Sequence, residues 1–202
     1  MAQTRKTNNS FLSNKVKLRL AHLPDGDLSV LDCYGGSGLI WAAIERETGR
    51  KIRYISIDKQ DYDIGLYLPG DNLAYLKSLD LGRFNVIDLD AYGVPFDQLE
   101  VLFDRKYAGR VFVTFVQVVT GGLAHGMLRE IGFTPEMVRK IRTMFFRRGW
   151  RYFQDYLAQK GVRTITHRSH ARKHYLTFSL SGAEAPVGDL DSQRAEMAAD
   201  RA

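Results

Sequence analysis

The chain has 202 residues, 45% of them hydrophobic, a length that suits one domain and buries enough apolar surface to need no disulfide or metal staple. Cys33 is the only cysteine, which excludes a disulfide framework and a cysteine zinc site; no apolar run approaches the roughly 18 residues of a membrane span, and polar Met1–Ser10 has no apolar h-region, so a cytoplasmic soluble protein is expected. The formal charge of +6 is uneven: +5 in the first 20 residues, +10 across 139–173 and −3 across 181–202, a clustering of cations that gathers polyanions.

Residues 1–12 read as a flexible basic N-terminus, 13–180 as one domain and 181–202 as a flexible acidic tail. Val16, Leu18, Leu20 and Leu23 predict a helix over Asn14–Leu23, capped near Ser13 and ended by Pro24-Asp25-Gly26-Asp27. Leu28–Cys33 predicts a buried strand running into Tyr34-Gly35-Gly36-Ser37-Gly38, and Leu39–Thr48 a helix closed by Gly49. Ile52–Ile57 predicts a strand ending at Asp58, and Ile64–Leu68 a short apolar run before Pro69-Gly70-Asp71-Asn72. Leu73–Leu81 predicts a short helix, Phe84–Leu89 a strand ending in Asp88-Leu89-Asp90, and Asp97–Lys106 a helix with Phe96, Leu99, Leu102 and Phe103 turned inward. Val111–Val119 reads as a fully buried parallel strand. Gly121-Gly122 breaks the chain and Leu123–Ile131 predicts a helix. Thr134-Pro135-Glu136 opens another helix toward Lys160, with a break expected at Gly149. Val162–His167 and His174–Leu180 predict two strands joined by a basic turn, Arg168–Lys173. Strands alternating with helices and closing in a hairpin predict an open α/β sheet, mostly parallel, with ligands at the carboxyl ends of its strands.

Those ends carry the candidate chemistry. Asp32, Tyr34, Gly35, Gly36 and Gly38 form a glycine turn whose backbone can approach a ligand closely, with helix N–H groups pointing into the same space. The spacing is not that of a dinucleotide fingerprint, which argues against a nicotinamide oxidoreductase, and the acid before the loop suits a ligand with a positive amine. Asp58, 26 residues after Asp32, is placed to accept two ribose hydroxyls. Asp71 and Asn72 can read an adenine amine and ring nitrogen, or Asp71 can simply cap the following helix.

Val30-Leu31-Asp32-Cys33-Tyr34-Gly35-Gly36-Ser37-Gly38 and Ile57-Asp58 resemble the first two motifs of class I S-adenosylmethionine (SAM) methyltransferases, over roughly Asn14–Leu180. Asp88-Leu89-Asp90-Ala91-Tyr92-Gly93-Val94-Pro95 resembles the Asp-Leu-Asp-Pro-aromatic-Gly motif of the tRNA guanine-N2 dimethyltransferases, with Ala91 in place of the usual Pro. The resemblance implies a three-layer Rossmann-like methyltransferase fold with a seven-stranded sheet and SAM as cofactor. An exocyclic amine is a poor nucleophile because its lone pair is delocalised into the ring. Asp90, or Asp88, would accept its hydrogens, and Tyr92 would stack on the extruded base. Asp88 is the better candidate for a structural role at the strand end. Only twelve residues separate Asp58 from Asp71, so the helix usual between them is expected to be short or absent.

Residues 137–160 interleave cations with rings. Phe145, Phe153 and Tyr156 read as core, while Arg147, Arg148 and Arg151 are candidates for substrate phosphates or for a solvated helix face; the N-terminal cations could clamp a polyanion, with a solvated tail the simpler account. His125, His167, His170 and His174 have no metal-site spacing, and His170 and His174 are expected at the surface or sheet edge. The expectation is a metal-free methyltransferase acting on a nucleobase amine, in RNA before DNA, with no membrane partner. Two readings compete: a small-molecule or protein methyltransferase, and a non-catalytic nucleic-acid-binding module on the same fold.

Overall fold

Side chains alternate across a strand, so each strand here feeds two layers. The computed structural model describes residues 11–60, 62, 65–117, 125–140 and 142–181, and the side chains of 142–147 fall outside that description. Seven strands form one sheet: β1 (Leu28–Asp32), β2 (Ile52–Asp58), β3 (Tyr67–Pro69), β4 (Val86–Leu89), β5 (Ala108–Val116), β6 (Thr166–His170) and β7 (Lys173–Ser181). Their order is β3-β2-β1-β4-β5-β7-β6. The first five run parallel, and β7 lies antiparallel between β5 and β6. This is the expected α/β sheet with its closing hairpin.

Helices α1 (Leu12–Leu20) and α2 (Leu39–Thr48) cover one face, where Val16, Leu28, Val30, Trp41, Ile44, Val86 and Phe112 form a small core. The other face is covered by α3 (Asn72–Ser78), α4 (Phe96–Asp104), α5 (His125–Glu130) and α7 (Arg142–Gln159), with α6 (Pro135–Lys140) preceding α7. Its larger core takes Leu31, Ile87, Leu89, Val113 and Phe115 from the strands and Phe153 and Tyr156 from α7. The alternation thus puts Asp32, Asp88 and Thr114, in phase with Val30, Val86 and Phe112, on the α1 face.

The structure revises several boundaries. The first helix is Leu12–Leu20 rather than Asn14–Leu23, so Ser13 lies inside it and no side chain caps it. The strand predicted from Val162 begins at Thr166. Val162 instead ends α7: Gly161, at φ 81°, donates to the Ala158 carbonyl and Val162 to that of Leu157, a Schellman closure in which the apolar residue packs back on the helix. Helix α7 runs through Gly149 without the expected break, and the hairpin turns at Ala171-Arg172, with His170 paired to Lys173. His174 is buried between β5 and β6 rather than at an edge. Parallel strands β2 and β3 are linked by residues 59–66 alone, and the described residues of that link hold no helix. Met1–Ser10, Ile64, Gly121-Gly122 and 182–202 lie outside the described residues. Among the described residues no helix is long and apolar enough to cross a membrane.

Candidate functional site

The carboxyl ends of β1, β4 and β5 meet under α1 in a cluster of charge. Arg19, 1% exposed, grips Asp88 with two donors, Nε to Oδ2 at 2.7 Å and Nη2 to Oδ1 at 2.5 Å. Trp41 of α2 adds Nε1 to Oδ2 at 3.0 Å, and Arg19 lies 5.4 Å over the Phe112 ring. One helical turn earlier, the Lys15 ammonium lies 2.5 Å from Asp90 Oδ2, and the Thr114 hydroxyl donates to Asp90 Oδ1. Tyr175 of β7, opposite Thr114 in the ladder, has a buried hydroxyl with no hydrogen-bond partner among the described residues.

These carboxyls differ in charge. Burial, with Asp88 and Asp90 close by, pushes Asp32 well above the usual carboxylate range. Burial raises Asp88 as well, against the opposing pull of Arg19. Burial also pushes against an Asp90 anion, but Lys15, Arg19 and the Thr114 hydrogen bond outweigh it and hold that carboxyl below the usual range. Two cations face three acids, and Asp32 is the acid without an ion-pair partner of its own. Its only described hydrogen bond comes from the Tyr34 N–H, at 3.3 Å.

Behind this cluster the glycine turn closes over β2. A Cβ on Gly35 would meet the Ser56 Cβ and Oγ at 2.6 Å, so only glycine fits. Gly36 and Gly38 have φ of 50° and 68°. The Gly36 N–H donates to Asp58 Oδ2 at 3.2 Å and that of Gln60 to Oδ1 at 3.0 Å, which leaves each oxygen an acceptor site. Asp32, Tyr34, Gly35, Gly36, Gly38 and Asp58 therefore share one loop system.

Asp71 and Asn72 sit at the start of α3, beside the glycine turn. Asp71 accepts from the Leu73 N–H as the cap of α3, the alternative its position allowed. The Asn72 amide is buried and committed to the fold: it donates to the Cys33 carbonyl at 2.8 Å and accepts from Gln98 at 2.9 Å. It also bonds the Tyr34 side chain, whose phenol burial pushes up to about 12.

Past β4, Tyr92 is 81% exposed, on the same loop as Asp90. The loop is tied to β5 by the Val116 N–H donating to the Gly93 carbonyl at 2.9 Å. Arg148 and Arg151 are exposed on α7, with Arg151 paired to Asp155 at 3.0 Å, while the Arg147 side chain lies outside the described residues. Phe153 and Tyr156 are core, as expected; Phe145 is not among the described side chains.

Sequence reasoning missed Lys15, Arg19, Trp41 and Thr114. It grouped the two cations in a basic N-terminal segment, yet both turn inward onto Asp90 and Asp88. The available signal was Arg19 itself, set between Leu18 and Leu20 and in the same turn as Val16. Among the described residues no group of three or more His, Cys, Asp or Glu is placed to hold a metal ion.

No protein-family model and no curated protein matches the sequence. Solved structures do match in shape. A SAM-dependent methyltransferase from Archaeoglobus fulgidus is 14% identical over 83% of this chain and 94% of that one, with a TM-score of 0.50. A protein from Bordetella parapertussis, described as an exported protein, is 10% identical over 84% and 67%, with a TM-score of 0.52. The ribosomal protein L11 methylase of Lactobacillus delbrueckii subsp. bulgaricus is 18% identical over 84% and 79%, with a TM-score of 0.46. The fold is that of the class I SAM-dependent methyltransferases. In a parallel sheet of this order, the ends of β1, β2 and β4 form the ligand-binding edge, where the glycine turn and the aspartates lie.

Proposed function

We propose that the protein is a SAM-dependent methyltransferase whose acceptor is an exocyclic amine of a nucleobase, in RNA, with tRNA the first candidate. The observation that carries this reading is Asp90, held ionised at the end of β4 on the loop that also carries the exposed Tyr92, on a methyltransferase fold. The residues fit the cofactor. Asp58 keeps acceptor sites for a ribose diol, and Asp32, with no cation of its own, would take a ligand ammonium. Bound there, SAM supplies a methyl group whose bond to sulfur breaks, leaving its electron pair on sulfur, as the new nitrogen–carbon bond forms.

The chain supplies alignment and a proton acceptor. Asp90 accepts the N–H of the target amine, which keeps the nitrogen lone pair out of the ring, and takes the proton that the nitrogen sheds. Tyr92 stacks on the extruded base. Asp88, closed by Arg19 and Trp41, acts through the fold, holding the strand end from which Asp90 projects. Arg148 and Arg151 on α7 are candidates for phosphate contact, which Arg151 makes by exchanging Asp155 for a phosphate.

The test is transfer of labelled methyl from SAM to unmodified tRNA, other RNA, DNA, bulk protein and small amines. Label in RNA, mapped to an exocyclic nitrogen, supports the reading; label only in protein or a small molecule overturns it. Asp90→Ala and Tyr92→Ala should bind SAM normally, with Asp90→Ala losing about 100-fold in transfer. Asp32→Ala should lose SAM binding.

A further inference from the structure

Lys15 and Arg19 are four residues apart on α1 and so lie one above the other on one helix face, about 6 Å apart. Asp88 and Asp90 are two residues apart at the end of β4, about 7 Å apart on one face of the sheet. The two spacings match, so a single helix sets two cations on two acids. The two rungs are not alike. Arg19–Asp88 is a closed fork with a third donor from Trp41, and its side chains are 1% and 0% exposed. Lys15–Asp90 is a single ammonium contact, its side chains 15% and 10% exposed, on the loop that carries Tyr92.

We propose that Lys15 is a positioning residue for methyl transfer: its ammonium fixes Asp90 as the anion that receives the target amine. The proposal rests on the methyltransferase reading above. Asp90 is faced by Lys15 and Arg19 from α1, by Asp88 beside it on β4, by Asp32 from β1, by the Thr114 hydroxyl from β5 and by the Tyr175 hydroxyl from β7. Without Lys15, a buried carboxyl next to two other acids takes up its proton at a higher pH. A protonated Asp90 offers the amine a hydrogen where it needs an acceptor. A carboxylate has about four lone-pair sites. Thr114 uses one on Oδ1 and Lys15 one on Oδ2, which leaves one on each oxygen, as many as the hydrogens of a primary exocyclic amine. A lysine suits this place because a compact ammonium occupies one site, where a guanidinium fork would close both oxygens as Arg19 does on Asp88.

The experiment pairs the pH profile of kcat for RNA methylation with carboxyl carbon-13 titration of Asp90, assigned with Asp90→Asn. In Lys15→Met the Asp90 titration and the acid limb of kcat should both move up by about 1–2 pH units, with SAM affinity unchanged. Lys15→Arg should bring the limb back toward the wild type. A limb that stays in place in Lys15→Met overturns the role of Lys15 and leaves methyl transfer standing. An Asp90 that titrates in the wild type at or above the ordinary carboxylate range overturns it too, and this measurement needs no variant to fold. A wild type that transfers no methyl to RNA overturns the function reading, and the inference with it.

Discussion

Asp88 and Leu89 are neighbours in β4, yet one enters a charged cluster under α1 and the other an apolar core shared with α4 and α7. On the α7 face the strand residues are aliphatic and aromatic, and rings stack from Phe115 to Phe153 at 4.7 Å. Two polar residues at the start of α3, on that face, serve the backbone: Asn72 bonds a carbonyl of the glycine turn and Asp71 caps α3. On the α1 face Arg19, Trp41 and Asp88, and Lys15, Thr114 and Asp90, serve one another, so each depends on the identity of its partners. An apolar face tolerates any filling of about the right volume, whereas a buried ion pair fails when one member goes.

The largest effect expected from that difference is at Arg19. Arg19→Leu leaves Asp88 buried and uncompensated, at a cost of about 3–5 kcal/mol. Phe153→Ala on the opposite face also costs about 3–5 kcal/mol, through a cavity. Urea titrations against pH separate the two. Losing Arg19 raises the folded-state pKa of Asp88 further above its unfolded value, so the deficit is full above the raised pKa and shrinks as pH falls through it. The Phe153 deficit stays constant. Arg19→Leu/Asp88→Leu should recover most of the loss, because both charges go together. A double variant no better than Arg19→Leu alone would erase the distinction between the faces.

One polar feature of the apolar face gives a smaller effect. Trp150 stacks on His174 at 4.6 Å and on His167 at 4.2 Å, and the two imidazoles bond each other at 3.0 Å. Burial, with His167 alongside, lowers His174 to about 4, and burial lowers His167 as well. Both are neutral in the fold. Between the unfolded value of about 6.5 and that of the fold, the unfolded chain binds more protons. The stability from this pair is therefore full above about pH 6.5 and falls as pH drops toward 4, by up to about 3 kcal/mol for His174. In His174→Phe, which keeps an aromatic ring between Phe115 and Trp150, that part of the pH dependence should vanish. A variant with the wild-type slope from pH 7 to 5 would show that the imidazole is not buried as described.

What could be read from the sequence follows the same division. Period and turn chemistry carried the order of strands, the glycine turn and the placing of Asp32, Asp58 and Asp90 at strand ends, because those signals are local. The partners of Asp88 and Asp90 were not legible, since Arg19 and Lys15 stand 69 and 75 residues away and their charge read as an N-terminal basic cluster. Val162 read as a strand because an apolar residue that closes a helix looks the same, in one dimension, as one that opens a strand. Gly149 read as a break because propensity is weak against packing, and this glycine is buried within α7. Asn72 is a residue that suits base recognition; only the fold shows its amide already spent on Cys33 and Gln98.

The smallest effect expected is at Asp71, and it tests whether polar groups on the apolar face serve the fold alone. Asp71 is exposed and accepts the Leu73 N–H at 3.3 Å, which satisfies one of the four free N–H groups at the start of α3. Its second oxygen is open to a ligand. As a cap only, Asp71→Ala should cost about 1 kcal/mol of stability and leave SAM affinity unchanged. Asp71→Asn keeps an acceptor oxygen for the N–H and removes the charge, so it should restore the stability. If SAM affinity instead falls about tenfold in both variants, a difference of 1.4 kcal/mol, the carboxylate touches the cofactor. The charged cluster would then continue past β2 to the start of α3, and the boundary between the two faces would move with it.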